Sequence, residues 1–185
     1  MRLALMMALL AAMQSPLGGQ TRVNADAALT QQFARNVQAY VRLRDSVEEG
    51  LPARNAHDKD GMAIDRQRRF AKRLQEVRST ARQGDIFSPE IAGEMRRLIG
   101  LGMQGQNDKR VRSSFRSAEP VSLPLKVNSP LPEKLPLQST PPTLLMNLPR
   151  LPSALDYRFA GRTLILRDTG ANLIVDFVPE AIAVK

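Results

Sequence analysis

Cysteine is absent from all 185 residues, and that one absence removes disulfides, thiolate metal sites, thiol nucleophiles, redox switching and a lipid-carrying cysteine near the start. Tryptophan is also absent and aromatic residues make up only 4% of the chain. Any core must then rest on Leu, Ile, Val, Ala and Met, and a small fold with such a core is marginal because it buries a low fraction of its surface. Histidine occurs once, at His57. A catalytic triad would have to recruit it, yet no Gly-x-Ser-x-Gly nucleophile motif accompanies it. Beside Asp58 it reads as a solvated loop residue.

Other sites fail in the same way. The segment Asp58-Lys59-Asp60-Gly61 has part of the pattern of a calcium loop. Aligning Gly61 with the loop's glycine puts Ala56 and Gln67 where the first and last carboxylate ligands belong. Gly100, Gly102 and Gly105 lack the following Lys-Ser/Thr of a phosphate-binding loop and read as a fraying helix end. Met62, Met95, Met103 and Met146 do not cluster. No carboxylate pair stands in a setting that signals glycoside hydrolysis: Asp168 reads as a turn residue and Asp176 as a solvent-facing strand position. The expectation is a non-enzyme with no catalytic residue, metal or cofactor.

What is present begins with an address. Arg2 precedes the apolar run Leu3–Met13, and Ser15-Pro16-Leu17-Gly18-Gly19 reads as a helix break. A short basic start, an apolar run and small residues describe a secretory signal peptide over residues 1–20. Small residues at Gly18-Gly19-Gln20 and at Ala25-Asp26-Ala27 both offer a cleavage point. The run falls short of the roughly 20 apolar residues that span a bilayer; a retained anchor is the alternative. No later stretch is long enough to cross a membrane. The chain is therefore expected in the periplasm or outside the cell.

The net charge is +9 and the isoelectric point near 10.8, with most of the excess in residues 21–119. Nucleic-acid binding is not expected, because stacking aromatics do not interleave with the basic residues. Outside the membrane, anionic lipids and cell-envelope polymers are the nearer partners for such charge.

Three helices follow from apolar spacing in a helical module over residues 25–105. Leu29, Phe33, Val37, Tyr40, Val41 and Val47 make one stripe over Ala25–Gly50. A second helix is expected from about Asp58 to Gln83, with Phe70, Leu74, Val77 and Ala81 inward. Arg66, Arg68, Arg69, Lys72 and Arg73 occupy the rest of its circumference and are the candidate anionic-surface residues. Ser88-Pro89-Glu90 carries a helix start: the hydroxyl accepts an orphan amide proton, the ring presets the backbone, and the carboxylate complements the dipole. Ile91, Met95, Leu98 and Ile99 then share a face.

Residues 106–153 are first basic, then dense in proline from Pro120 to Pro152. Prolines at that spacing remove amide donors and fix the backbone, so an extended linker is expected. Leu144-Leu145-Met146-Asn147-Leu148 is an apolar island expected to dock on a folded surface. Residues 154–182 read as three antiparallel strands. Ala160-Gly161 makes the first turn and Asp168-Thr169-Gly170-Ala171 the second. Leu155, Tyr157, Phe159, Leu164, Leu166, Leu173, Val175 and Phe177 are the expected buried face. Three strands with one apolar face need a cover, which the Leu144–Leu148 island, a bundle face or another protein could supply. The class is α+β: a small N-terminal helical bundle or hairpin, a proline-rich linker and a C-terminal three-stranded antiparallel β-meander.

Two stretches carry a likeness. Gly84-Asp85-Ile86-Phe87-Ser88-Pro89-Glu90 with Met95-Arg96-Arg97-Leu98-Ile99, and Asp156-Tyr157-Arg158-Phe159 through Ala171-Asn172-Leu173-Ile174-Val175-Asp176-Phe177, resemble blocks of an uncharacterised family of exported bacterial proteins. That resemblance implies the architecture and the exported address, with no activity and no catalytic residue. The expected role is a non-enzymatic envelope protein that meets an envelope partner through its β-meander. The alternative is a binder of anionic envelope polymer or lipid through the basic helix.

Overall fold

A computed structural model of the chain describes residues 18–51, 60–104, 124–132, 135, 137–138 and 142–183. In chain order these form α1 (Gly18–Glu49), α2 (Asp60–Val77), α3 (Pro89–Gly102), β1 (Leu137–Gln138), α4 (Pro142–Asn147), β2 (Leu155–Ala160), β3 (Thr163–Asp168) and β4 (Leu173–Val178). The class is α+β, and the antiparallel meander is β2-β3-β4. The two-residue β1 pairs with Phe159 and Ala160 of β2, which gives one sheet in the order β1-β2-β3-β4. His57 and the apolar start Leu3–Met13 lie outside the described residues.

α1 begins at Gly18, inside the stretch expected to break a helix. Glycine costs about 1 kcal/mol relative to alanine in a helix interior, but the first turn has orphan donors whatever residue stands there. Phe33, Val37 and Tyr40 are its buried stripe. α2 stops at Val77, earlier than its apolar spacing predicts, so Val77 is 53% exposed while Arg78 is buried. The reason lies elsewhere in the chain. Asn128 adopts a left-handed backbone (φ 63°) and its Nδ2 donates to the carbonyls of Gln75 and Arg78, each at 3.0 Å. Those are carbonyls that a helix end leaves without partners. α3 starts as expected: Ser88 accepts from the Ile91 amide and Pro89 is the first helical residue. The helix continues through Gly100 and ends at Gly102.

One apolar cluster joins all the helices to the sheet, with Phe33, Phe70, Ile91, Leu144, Phe159 and Leu164 at its centre. The cover for the meander thus comes from this chain, from the three long helices and from the Leu144–Leu148 island together. Rings of Phe33 and Phe87 stack with centroids 5.6 Å apart.

The opposite face of the sheet buries Leu131, Leu135, Ala160, Ile165 and Ile174, with Leu125 and Phe177 against them. The described parts of the proline-rich stretch are therefore packed. Residues 128–131 run along β4, with Asn128 N donating to Ile174 O, Ile174 N to Ser129 O and Leu131 N to Asn172 O. Proline suits such a position because its missing donor faces away from the ladder, and the pairing closes an edge that would otherwise recruit another chain.

Strict alternation fails in β4. A bulge leaves Val175 without a Cα partner while Leu166 pairs with Asp176 and Arg167 with Ile174. Val175 and Asp176 both end on the helix side, which sends Phe177 to the opposite cluster and Val178 inward. A one-residue insertion flips every side chain beyond it. Phe177 therefore leaves the expected buried face, and Asp176 is fully buried rather than solvent-facing.

Candidate functional site

Asp168, at the end of β3, is fully buried and faces α1. Its Oδ2 accepts from Tyr40 Oη at 2.8 Å and from Arg44 Nε at 3.0 Å. Its Oδ1 accepts from Ala171 N at 2.7 Å, so the expected turn role holds and a second role is added. Tyr40 and Arg44 are four residues apart and so share one face of α1. Burial and then the Asp168 carboxylate push the Tyr40 phenol well above its ordinary value. Burial pulls the Arg44 guanidinium down, but Asp168, Asp45 and Glu48 hold it above its ordinary value. Arg44 also lies over the Phe70 ring at 5.0 Å, a cation–π contact between α1 and α2.

Asp176 builds a second centre from different chemistry. Its carboxylate accepts from the backbone amides of Gly84, Ile86 and Phe87 in the α2–α3 connection, and from that of Phe177. Burial pushes its carboxyl up from the ordinary value, and the backbone donors oppose that shift. Gly84 has φ +97°, a left-handed conformation that a side chain rarely adopts.

Between these two carboxylates stands Arg78, which covers the Tyr40 ring at 4.9 Å and donates from Nη2 to Val175 O at 3.1 Å. Burial lowers its value, and Tyr40, Asp85, Asp176 and Asp168 offset part of that. Its Nη1 is buried without a protein partner, as is Asn128 Oδ1.

A cleft of about 410 Å³ opens between α1, α2 and the β3–β4 turn. Ala63, Ile64 and Phe70 give it apolar walls. Its polar side comes from Arg44, Glu48, Arg66 and Gln67, and its floor from Thr169 and Gly170. Glu48 joins two of these groups: Oε2 accepts from Arg44 at 2.6 Å and Oε1 from Arg66 at 3.4 Å.

The five basic residues expected to act together are divided by the fold. Arg66 turns toward Glu48, and Arg73 donates to Gly50 O at 2.5 Å, so both help join α2 to the end of α1. Arg68, Arg69 and Lys72 are exposed, with Arg68 3.8 Å from Asp65. On the outer face of the sheet, Asp156 accepts from Arg158 at 2.8 Å and from Arg167 at 2.6 Å.

Sequence reasoning missed the Tyr40–Arg44–Asp168 and Asp176–backbone centres. The four-residue spacing of Tyr40 and Arg44 was visible, but their carboxylate partner lies 128 residues from Tyr40. Among the described residues, no group of three or more His, Asp or Glu side chains could hold a metal ion, and no helix is long and apolar enough to cross a membrane. No protein-family model, curated protein or solved structure matches the chain.

Proposed function

We propose that the chain is an exported bacterial envelope protein with a non-enzymatic role, an interaction or structural module. What carries this reading is the use made of its buried ionisable groups. Asp168 receives Tyr40, Arg44 and the Ala171 amide, and Asp176 receives backbone amides alone. These contacts hold helices on a sheet, and their acceptor sites are filled by the fold. The apolar start Leu3–Met13 supports the exported address, as does the resemblance to exported proteins of no assigned activity.

The helix-facing side of the meander is occupied by the chain's own core. A partner docking on the meander therefore meets the other face, at Asp156, Arg158 and Arg167. The test is fractionation of the full chain, carrying a C-terminal tag, in a bacterial host, followed by crosslinking of the intact envelope. The expected result is a shortened chain outside the cytoplasm and a crosslinked adduct that R158E/R167E weakens. An unshortened chain that follows a cytosolic marker overturns the address, and an adduct indifferent to both substitutions overturns the docking face.

A second reading, an anionic-polymer or lipid binder, draws on the exposure of Arg68, Arg69 and Lys72 along α2. It requires retention on phosphatidylglycerol vesicles that falls with salt and disappears on charge reversal at those three positions. Retention that survives both treatments removes it.

A further inference from the structure

The cleft beside Arg44 holds one side-chain donor that the fold leaves open, Arg44 Nη2. The Arg44 side chain is only 10% exposed. Its Nε donates to Asp168, and its Nη1 to Asp45 and Glu48. Its Nη2 has no partner among the described residues, and unlike Arg78 Nη1 it is not a buried donor left unsatisfied, because Arg44 lines the cleft. The approach to that nitrogen is kept open by the turn. A Cβ at residue 170 would sit 2.9 Å from Arg44 Nη2 and 3.4 Å from the Phe70 ring, so any side chain there would crowd the guanidinium. A largely desolvated N–H donor facing a cavity calls for an acceptor.

The surrounding charge selects which acceptor. Asp45, Glu48 and Asp168 all lie on Arg44, and Arg66 faces Glu48. An anionic ligand would be repelled by these carboxylates at close range, whereas a neutral carbonyl brings no net charge for them to repel. The rest of the cleft is amphipathic. Ile64, 49% exposed, and Ala63 offer an aliphatic wall on α2, and the Gln67 amide and the Glu48 carboxylate can accept an N–H. The volume of about 410 Å³ falls in the range of roughly 300–1,000 Å³ usual for ligand sites.

We propose that this cleft binds an uncharged peptide segment, with a backbone carbonyl accepting from Arg44 Nη2 and an aliphatic side chain against Ala63 and Ile64. This goes beyond the envelope reading and does not rest on it, because it concerns one cavity whatever the address of the chain.

The probe is N-acetyl-leucine amide, titrated into the full chain and followed by amide NMR shifts. Saturable shifts are expected at Thr169, Gly170 and the α2 residues of the cleft. N-acetyl-leucine, which differs by a carboxylate, should bind about tenfold more weakly because like charges now face each other. A63F fills the cleft from an exposed helix position, and I64D places a charge on its apolar wall. Both should abolish the shifts, and two variants guard against misfolding of either. Each must keep the amide spectrum of the folded chain. The proposal is overturned by an absence of localised shifts, by equal binding of the carboxylate, or by full binding in folded A63F and I64D. Tighter binding of N-acetylglucosamine than of the leucine amide would overturn the peptide assignment.

Discussion

Two fully buried carboxylates stand on neighbouring strands and do the same mechanical work by opposite means. Asp168 is met by side chains of α1, the Tyr40 hydroxyl and the Arg44 guanidinium. Asp176 is met by backbone amides of the α2–α3 connection. The first tie depends on residue identity at three positions. The second depends on the path of the backbone, so it constrains Asp176 and the left-handed Gly84 more than the side chains between them. Breaking the Asp168 tie takes one carboxylate from a buried cation that Asp45 and Glu48 still meet, whereas the donors that Asp176 would leave are neutral backbone amides.

The largest expected effect follows from that difference. Asp168→Ala leaves the Tyr40 hydroxyl and Arg44 Nε buried without their acceptor, while Arg44 Nη1 keeps Asp45 and Glu48, so the cost should sit near the low end, about 3 kcal/mol, of that for breaking a buried pair. Urea unfolding should show the drop with little change in the denaturant slope. Asp176→Asn should cost less, about 1–3 kcal/mol. The amide oxygen can still accept from Ile86 and Phe87, but its NH₂ group is directed at donors. If Asp176→Asn proves the more damaging of the two, the contrast between charged and neutral ties is wrong. Asn128→Ala removes the two bonds to the α2 carbonyls and should cost about 1–2 kcal/mol, read as a lower melting temperature with an unchanged far-ultraviolet spectrum.

The smallest effect is in pH dependence. Burial raises the Asp176 carboxyl above its ordinary value, so the folded chain holds that proton more tightly than the unfolded chain. Its contribution to stability is then greatest below the ordinary carboxylate value and is lost as pH rises through the raised one. A carboxyl-carbon NMR titration should place Asp176 above an exposed aspartate; a lower position would mean that four backbone donors outweigh burial.

Much of the local structure was legible in the chain. Ser88-Pro89-Glu90 marks the start of α3 because caps are local chemistry. Gly161, with φ 54°, sits in the two-residue turn that joins Ala160 to Thr163, again a local requirement. The end of α2 was not legible, because Val77 fits the apolar spacing and the group that ends the helix, Asn128, comes from the segment running along β4, about 50 residues further on. The β4 bulge was not legible either: Leu173, Val175 and Phe177 alternate faithfully, and only the pairing with Leu166 and Arg167 reveals the extra residue. The five basic residues read alike along a helix, yet packing against Glu48 and Gly50 sets Arg66 and Arg73 apart from the other three.

The sequence by itself determined the existence of the three long helices, the meander, the turns and the absence of thiol chemistry, since each rests on residues within a few positions of one another. Tertiary structure decided what the proline-rich stretch does, which aspartates are buried, and that the helices and sheet share one core. Those outcomes depend on residues far apart in the chain, such as Tyr40 with Asp168 or Asn128 with Gln75. Their interaction exists only once burial removes water and leaves each polar group to find its partner in the fold.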